Sequence, residues 1–238
     1  MINSTVIGID LAKTVLQVGV MSNSKLTSNK QVRRASLHSL MANHPPSVVA
    51  MEACYSSNYW ALEFEAMDHT IKLIPAEHVK PFTRANKTDA NDALAIIEAL
   101  YRPSLRFVPI KTTHQQDIQN LHRIRQRRVS NRTGLTNQAR GLLAEYGIVS
   151  KKGKKGFLLA VQLGLNDDNL SELVKTELHF ALDELQQVSD HITKIEATLR
   201  AYVDNNQDYR ILHSIPGIGV INASAIECKY GNESQFSK

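Results

Sequence analysis

Two apolar runs rich in β-branched residues, TVIGIDLA from Thr5 and VLQVGVM from Val15, are separated by Lys13 and Thr14 alone. A gap that short cannot hold a helix, so the two runs must pair as an antiparallel hairpin. KLTSNKQV, from Lys25, reads as a third strand. The pattern then changes. ASLHSLMANH is helical and stops at Pro45-Pro46, SVVAMEA is a buried strand, NYWALEFEAMDH a helix, TIKLIPA a strand closed by Pro75, and KTDANDALAIIEALYR a helix ended before Pro103. Antiparallel strands followed by helix-separated strands predict a mixed α/β sheet with flanking helices over residues 1–108.

The rest of the chain carries no strand signal, and its charge is strongly segregated. LHRIRQRRVSNRTGLTNQARGLL holds Arg123, Arg125, Arg127, Arg128, Arg132 and Arg140 on a predicted long helix. KKGKKG adds Lys151, Lys152, Lys154 and Lys155 and reads as a flexible loop. Such a run neutralises phosphates; its alternative is a solvated helix face. From Asp167 to Asp208 acids dominate, and Leu178, Leu185, Val188, Ile192, Ile195, Leu199 and Tyr202 recur in steps of three and four. That heptad seam either packs on the basic helix or joins a second copy through residues 178–202. Residues 109–205 thus form a basic helix and coiled-coil region, and 206–238 begin a third region with IPGIG between two helical stretches. There Gly217 and Gly219 permit a tight helix–hairpin–helix turn whose backbone N–H groups can hold a phosphate. A plain inter-helix turn fits the same residues.

Composition excludes several classes. The 238 residues carry a net charge of +5 and two cysteines, Cys54 and Cys228, far apart. Neither a disulfide framework nor a zinc site follows from them. No signal peptide and no membrane-length apolar run is visible, so a cytoplasmic protein with no membrane partner is expected. The nine histidines show no ligand spacing.

KTDANDA places Asp89 and Asp92 at the entrance of an apolar helix. They can cap it, or, three residues apart on one face, reach one hard cation. Asp10 ends the first strand and Glu52 the fourth. Carboxylates at the ends of buried strands are costly unless solvated, paired or metal-bound. If those strands are neighbours, Asp10, Glu52, Asp89 and Asp92 converge, and two magnesium ions about 4 Å apart would offset their repulsion and serve phosphodiester chemistry. Lys13 and Lys87 flank two of the acids, and Tyr55, Tyr59 and Trp60 follow Glu52, where core packing competes with base stacking.

GIDLAKT, MEAC, KTDANDA, the basic helix and LHSIPGIG, in that order, resemble the DEDD-type insertion-sequence transposases related to the Piv DNA invertase. The resemblance implies a RuvC-like, ribonuclease-H-like first domain and a metal-binding, catalytic tetrad of Asp10, Glu52, Asp89 and Asp92. It further implies Mg2+ (with Mn2+ as substitute), DNA as substrate, an element-encoded guide RNA, and a bacterial, nucleoid-associated location. In that family the region opened by IPGIG continues well beyond this length and carries a nucleophilic serine in a serine–glycine context. Ser224, Ser234 and Ser237 do not match it, so a truncated transposase, inactive alone, is expected. The alternative is a nucleic-acid-binding remnant without catalysis. A sugar-kinase or actin-like ATPase shares the first strand, but its glycine-rich phosphate and adenosine loops are not found.

Overall fold

The structure is a computed structural model. It describes residues 5–82, 89–103 and 105–230, apart from the side chains of residues 89, 90, 208, 209, 229 and 230. The chain divides into two compact units, Met1–Lys111 and Thr112–Lys238.

The first unit is built on a five-stranded sheet of order β3-β2-β1-β4-β5. The strands are β1 (Val6–Asp10), β2 (Val15–Ser22), β3 (Lys25–Arg33), β4 (Val48–Glu52) and β5 (Thr70–Ile74). β1, β2 and β3 pair antiparallel in sequence, whereas β4 and β5 run parallel to β1. This is the mixed, ribonuclease-H-like sheet that the sequence implied. Asn23 and Ser24, at φ 50° and 61°, make the two-residue turn between β2 and β3, and consecutive left-handed residues suit the twist of such a hairpin. Helices α1 (Arg34–Ala42) and α2 (Ser57–Glu65) supply the crossovers, followed by the short α3 (Ala76–Val79) and by α4 (Asp89–Leu100).

Alternation along β1 sorts the two faces of the sheet. Ile7 and Ile9 join Leu16, Val18, Val49, Met51, Leu37, Met41 and Phe64 in the core under α1 and α2. Gly8 faces the other way, against α4. A Cβ on Gly8 would sit 2.5 Å from Ile97 Cγ1 and 2.6 Å from the Ala93 carbonyl. The glycine therefore lets the helix backbone lie almost on the strand. Ala50 on β4 shares this second core with Ile74, Ala95, Ile96 and Ala99.

The second unit is helical. It comprises α5 (Thr113–Glu145), α6 (Gly153–Leu165), α7 (Glu172–Asp204), α8 (Gln207–Ser214) and α9 (Val220–Tyr230). A capping box starts α5: Thr112 Oγ1 accepts from the Gln115 N–H, and Gln115 Oε1 accepts from the Thr112 N–H. Ile118 packs with Leu199 and Val203, and Leu143 with Leu178, so α5 and α7 run antiparallel. Leu178, Val188, Ile192 and Leu199 of the heptad seam are buried within this unit. A second copy pairing through residues 178–202 would have to displace the chain's own α5.

One expectation is corrected. KKGKKG is not a loop throughout, because α6 begins at Gly153 and takes in Lys154 and Lys155. The cause is the apolar run that follows: Phe157, Ala160, Val161 and Gly164 are buried, and the helix they anchor extends back through the second lysine pair.

Candidate functional site

Asp10 and Glu52 are the last residues of β1 and β4. The two strands are parallel neighbours with Val6 beside Val48 and Ile9 beside Met51, a constant offset that carries Asp10 beside Glu52 at the same sheet edge. Neighbouring strands lie about 5 Å apart, so the two carboxylates belong to one locus. Two-residue alternation puts both on the face of Gly8 and Ala50, which is the face covered by α4. Opposite Asp10 on β2 stands Gln17, nearly buried, whose Nε2 donates to Asn29 Oδ1 at 2.6 Å. Sequence reasoning passed over this amide pair. Polar residues facing inward at alternate strand positions were its only signal.

Asp92 lies on α4, one residue before Ala93, whose carbonyl closes on Gly8. Its Oδ1 is buried and, among the described residues, has no hydrogen-bond partner. A buried carboxylate oxygen left in that state costs several kcal/mol unless a cation or an ordered water meets it. Asp89 is the first residue of α4, and its side chain, like all of Lys87, lies outside the described residues. Among the described residues no three Asp, Glu, His or Cys side chains come together as a metal cluster. The donor set is nonetheless all carboxylate oxygen, the chemistry a hard divalent cation takes.

The basic helix divides into two kinds of arginine. Arg125 meets Glu196 of α7 through Nε at 2.8 Å and Nη2 at 2.6 Å, both donating to Oε1, a charge-assisted brace. Arg140 donates to Ser150 Oγ and to the Gly153 carbonyl and lies over the Phe157 ring at 5.7 Å, holding α6 to α5. Arg123, Arg127 and Arg132 are exposed, and among the described residues no carboxylate pairs with them. Arg128 is half-buried, and Lys151, Lys152, Lys154 and Lys155 are exposed. Arg132, Arg140 and Lys154 also line a cleft of about 550 Å³ with Thr136, Asn137 and Ser189.

IPGIG joins α8 to α9. Gly217 takes φ +89°, and the Ile218 N–H donates to the Ile215 carbonyl at 3.0 Å. Ser224 in α9 is fully buried: its hydroxyl donates to the Val220 carbonyl at 2.8 Å, so His122 Nε2, 3.0 Å away, donates to it. Burial, reinforced by Arg125, lowers the His122 pKa. Ser234 and Ser237 lie outside the described residues.

Residues 7–148 match the model of the DEDD-type IS110 family, described as Transposase. The chain belongs to that family. Its transposase relatives include the probable family 20 transposase of Pseudomonas aeruginosa, 39% identical over 98% of this chain and 70% of the relative. The transposase for insertion sequence element IS1111A of Coxiella burnetii is 38% identical over 98% of this chain and 65% of its own length. The chain spans 60 to 70% of the curated transposases it matches. T. thermophilus RuvC, solved in complex with a Holliday junction substrate, aligns with 44% of this chain and 99% of its own at 15% identity and a TM-score of 0.33. Among the described residues of this chain no helix is long and apolar enough to cross a membrane.

Proposed function

We propose that this transposase chain holds divalent metal, Mg2+ with Mn2+ as substitute, through Asp10, Glu52, Asp89 and Asp92, and directs it at DNA phosphodiesters during cleavage and strand transfer of an insertion sequence. The observation that carries the reading is the buried Asp92 Oδ1, without a partner among the described residues, on the helix packed over the face where Asp10 and Glu52 stand side by side. Two bound metal ions would supply charge neutralisation at the scissile phosphate and a nucleophile active at neutral pH. The chain's own part is to fix the carboxylates: β1 and β4 set the first pair by register, and Gly8 lets α4 bring the second pair close. Exposed Arg123, Arg127 and Arg132, with the lysines of 151–155, hold phosphates without reading sequence. The turn at Gly217 and Gly219 adds backbone N–H donors for the same purpose. A guide RNA would use these same cations. Association of copies through residues 178–202 requires α5 to leave α7.

Titration calorimetry of Mn2+ into the protein, beside an Asp89→Ala/Asp92→Ala variant, tests the reading. About two ions bound by the parent and lost in a folded variant are expected. A second reading is nucleic-acid binding without cleavage, which the exposed Arg123, Arg127 and Arg132 would serve without the carboxylates. It takes over if neither protein binds metal, with or without DNA.

A further inference from the structure

The other face of the sheet carries a second feature that metal chemistry leaves unused. The β1–β2 loop, the end of β3, and helices α1 and α2 enclose an open groove of about 840 Å³ lined by Lys13, Arg33, Arg34, His38, Tyr59 and Trp60. Its wall is built rather than incidental. The Arg34 N–H donates to the Thr14 carbonyl at 2.9 Å, its Nη1 to the Ala12 carbonyl at 3.3 Å, and its guanidinium covers Trp60 at 5.2 Å. Trp60 stacks on Phe64 at 5.4 Å and meets Tyr59 edge-on at 5.1 Å. Tyr59 is held by that contact yet is 50% exposed. Lys13 and Arg33 are exposed, and among the described residues neither has a carboxylate partner. The nearby Glu63 is engaged with His38 at 3.5 Å.

We infer that this groove takes a short unpaired stretch of DNA, with Lys13 and Arg33 on successive phosphates and a base stacked on Tyr59. Two uncommitted cations beside one presented ring are the parts of a single-strand platform. Bases inside a duplex keep their faces covered by their neighbours, so only an unpaired base can use the ring. Lys13 stands three residues after Asp10, so a strand in the groove leads to the sheet edge where Asp10 and Glu52 end their strands. The inference rests on the proposed nucleic-acid function and adds to it a separate, metal-independent contact. Arg34 and His38 are wall residues, since the guanidinium lies over Trp60 and the imidazole meets Glu63.

Fluorescence anisotropy with labelled oligothymidylate, without divalent metal, tests it on the whole chain. Tyr59→Ala should weaken binding roughly 5- to 160-fold, Tyr59→Phe should retain it, and blunt duplex should bind both alike. Lys13→Ala/Arg33→Ala should make the slope of log K against log salt shallower by about 1.4, two single-strand phosphate contacts at ~0.7 each. All three sites are exposed, and circular dichroism checks that the variants stay folded. If Tyr59→Ala binds as the parent does while an Arg123→Ala/Arg127→Ala/Arg132→Ala variant loses affinity, the groove assignment fails and the wider nucleic-acid function stands. A parent that binds no nucleic acid overturns both. A groove-dependent preference for oligouridylate overturns the DNA assignment, and displacement of the oligonucleotide by polyaspartate as effective as unlabelled DNA overturns the nucleotide one.

Discussion

Gly8 and His69 show how much of the first unit hangs on single side chains. Gly8→Ala drives a methyl into the Ala93 carbonyl and Ile97, contacts of 2.6 and 2.5 Å that only a shift of α4 relieves. The expected cost is about 1–3 kcal/mol in urea unfolding. Metal uptake should fall with it, because Asp89 and Asp92 ride on that helix. Uptake unchanged in calorimetry would mean that α4 does not position the site. His69 is buried and ties two segments together. Its Nδ1 accepts the Ser47 N–H at 3.1 Å, which leaves Nε2 to donate to the Met41 carbonyl at 3.2 Å. His69→Ala strands that N–H and opens a void beside Phe64, for an expected loss of about 2–4 kcal/mol in the same measurement. In the sequence His69 was one of nine scattered histidines, and nothing in its spacing revealed a structural tie, because both partners are backbone groups remote in the chain.

At the level of elements, α5 mixes two tasks that its composition blurs. Arg125 braces α7, whereas Arg123, Arg127 and Arg132 face solvent. Arg125→Ala should lower the stability of the second unit by roughly 1 kcal/mol, given the half-exposed Glu196, and leave the salt dependence of DNA binding intact. The Arg123→Ala/Arg127→Ala/Arg132→Ala variant should do the reverse. Its slope of log K against log salt for duplex DNA should become shallower by about 2.7. Anisotropy over a salt series, paired with thermal melts, separates the two. All five strands were legible from β-branched alternation and from the prolines that punctuate it, and so were α1, α2, α4, α5 and α7. What α6 lacked was a start signal: glycine and lysine stand where a cap would, and only burial of Phe157, Ala160 and Val161 against Leu143 and Leu178 makes the segment helical. The acids at the strand ends could be read as a group because register is regular. The brace at Arg125 could not, since pairing across 71 residues leaves no local trace.

Over the whole molecule, burial lowers a histidine pKa in each unit, His44 in the first and His122 in the second. His122 has its pKa lowered by burial and then by Arg125. The unfolded chain therefore binds the proton more readily than the native one. Stability contributed at this site is fully present above the unfolded value of about 6.5 and is lost as pH falls towards the depressed native value. The melting point of the second unit should rise between about pH 5 and pH 7, and His122→Gln should flatten that rise. A profile unchanged by the substitution would assign the dependence to another group. The first unit offers a contrast that makes such experiments simple. Of all the aromatic residues in the 238, one is tryptophan, and Trp60 sits in the first unit, buried on Phe64 beneath the Arg34 guanidinium. The described elements of the second unit are all helices, without an indole. Indole emission thus reports the first unit alone, while far-ultraviolet ellipticity is weighted to the second. The protein carries its own optical label, and the two units can be melted, titrated with metal and challenged with single strands in one cuvette, each read in a different light.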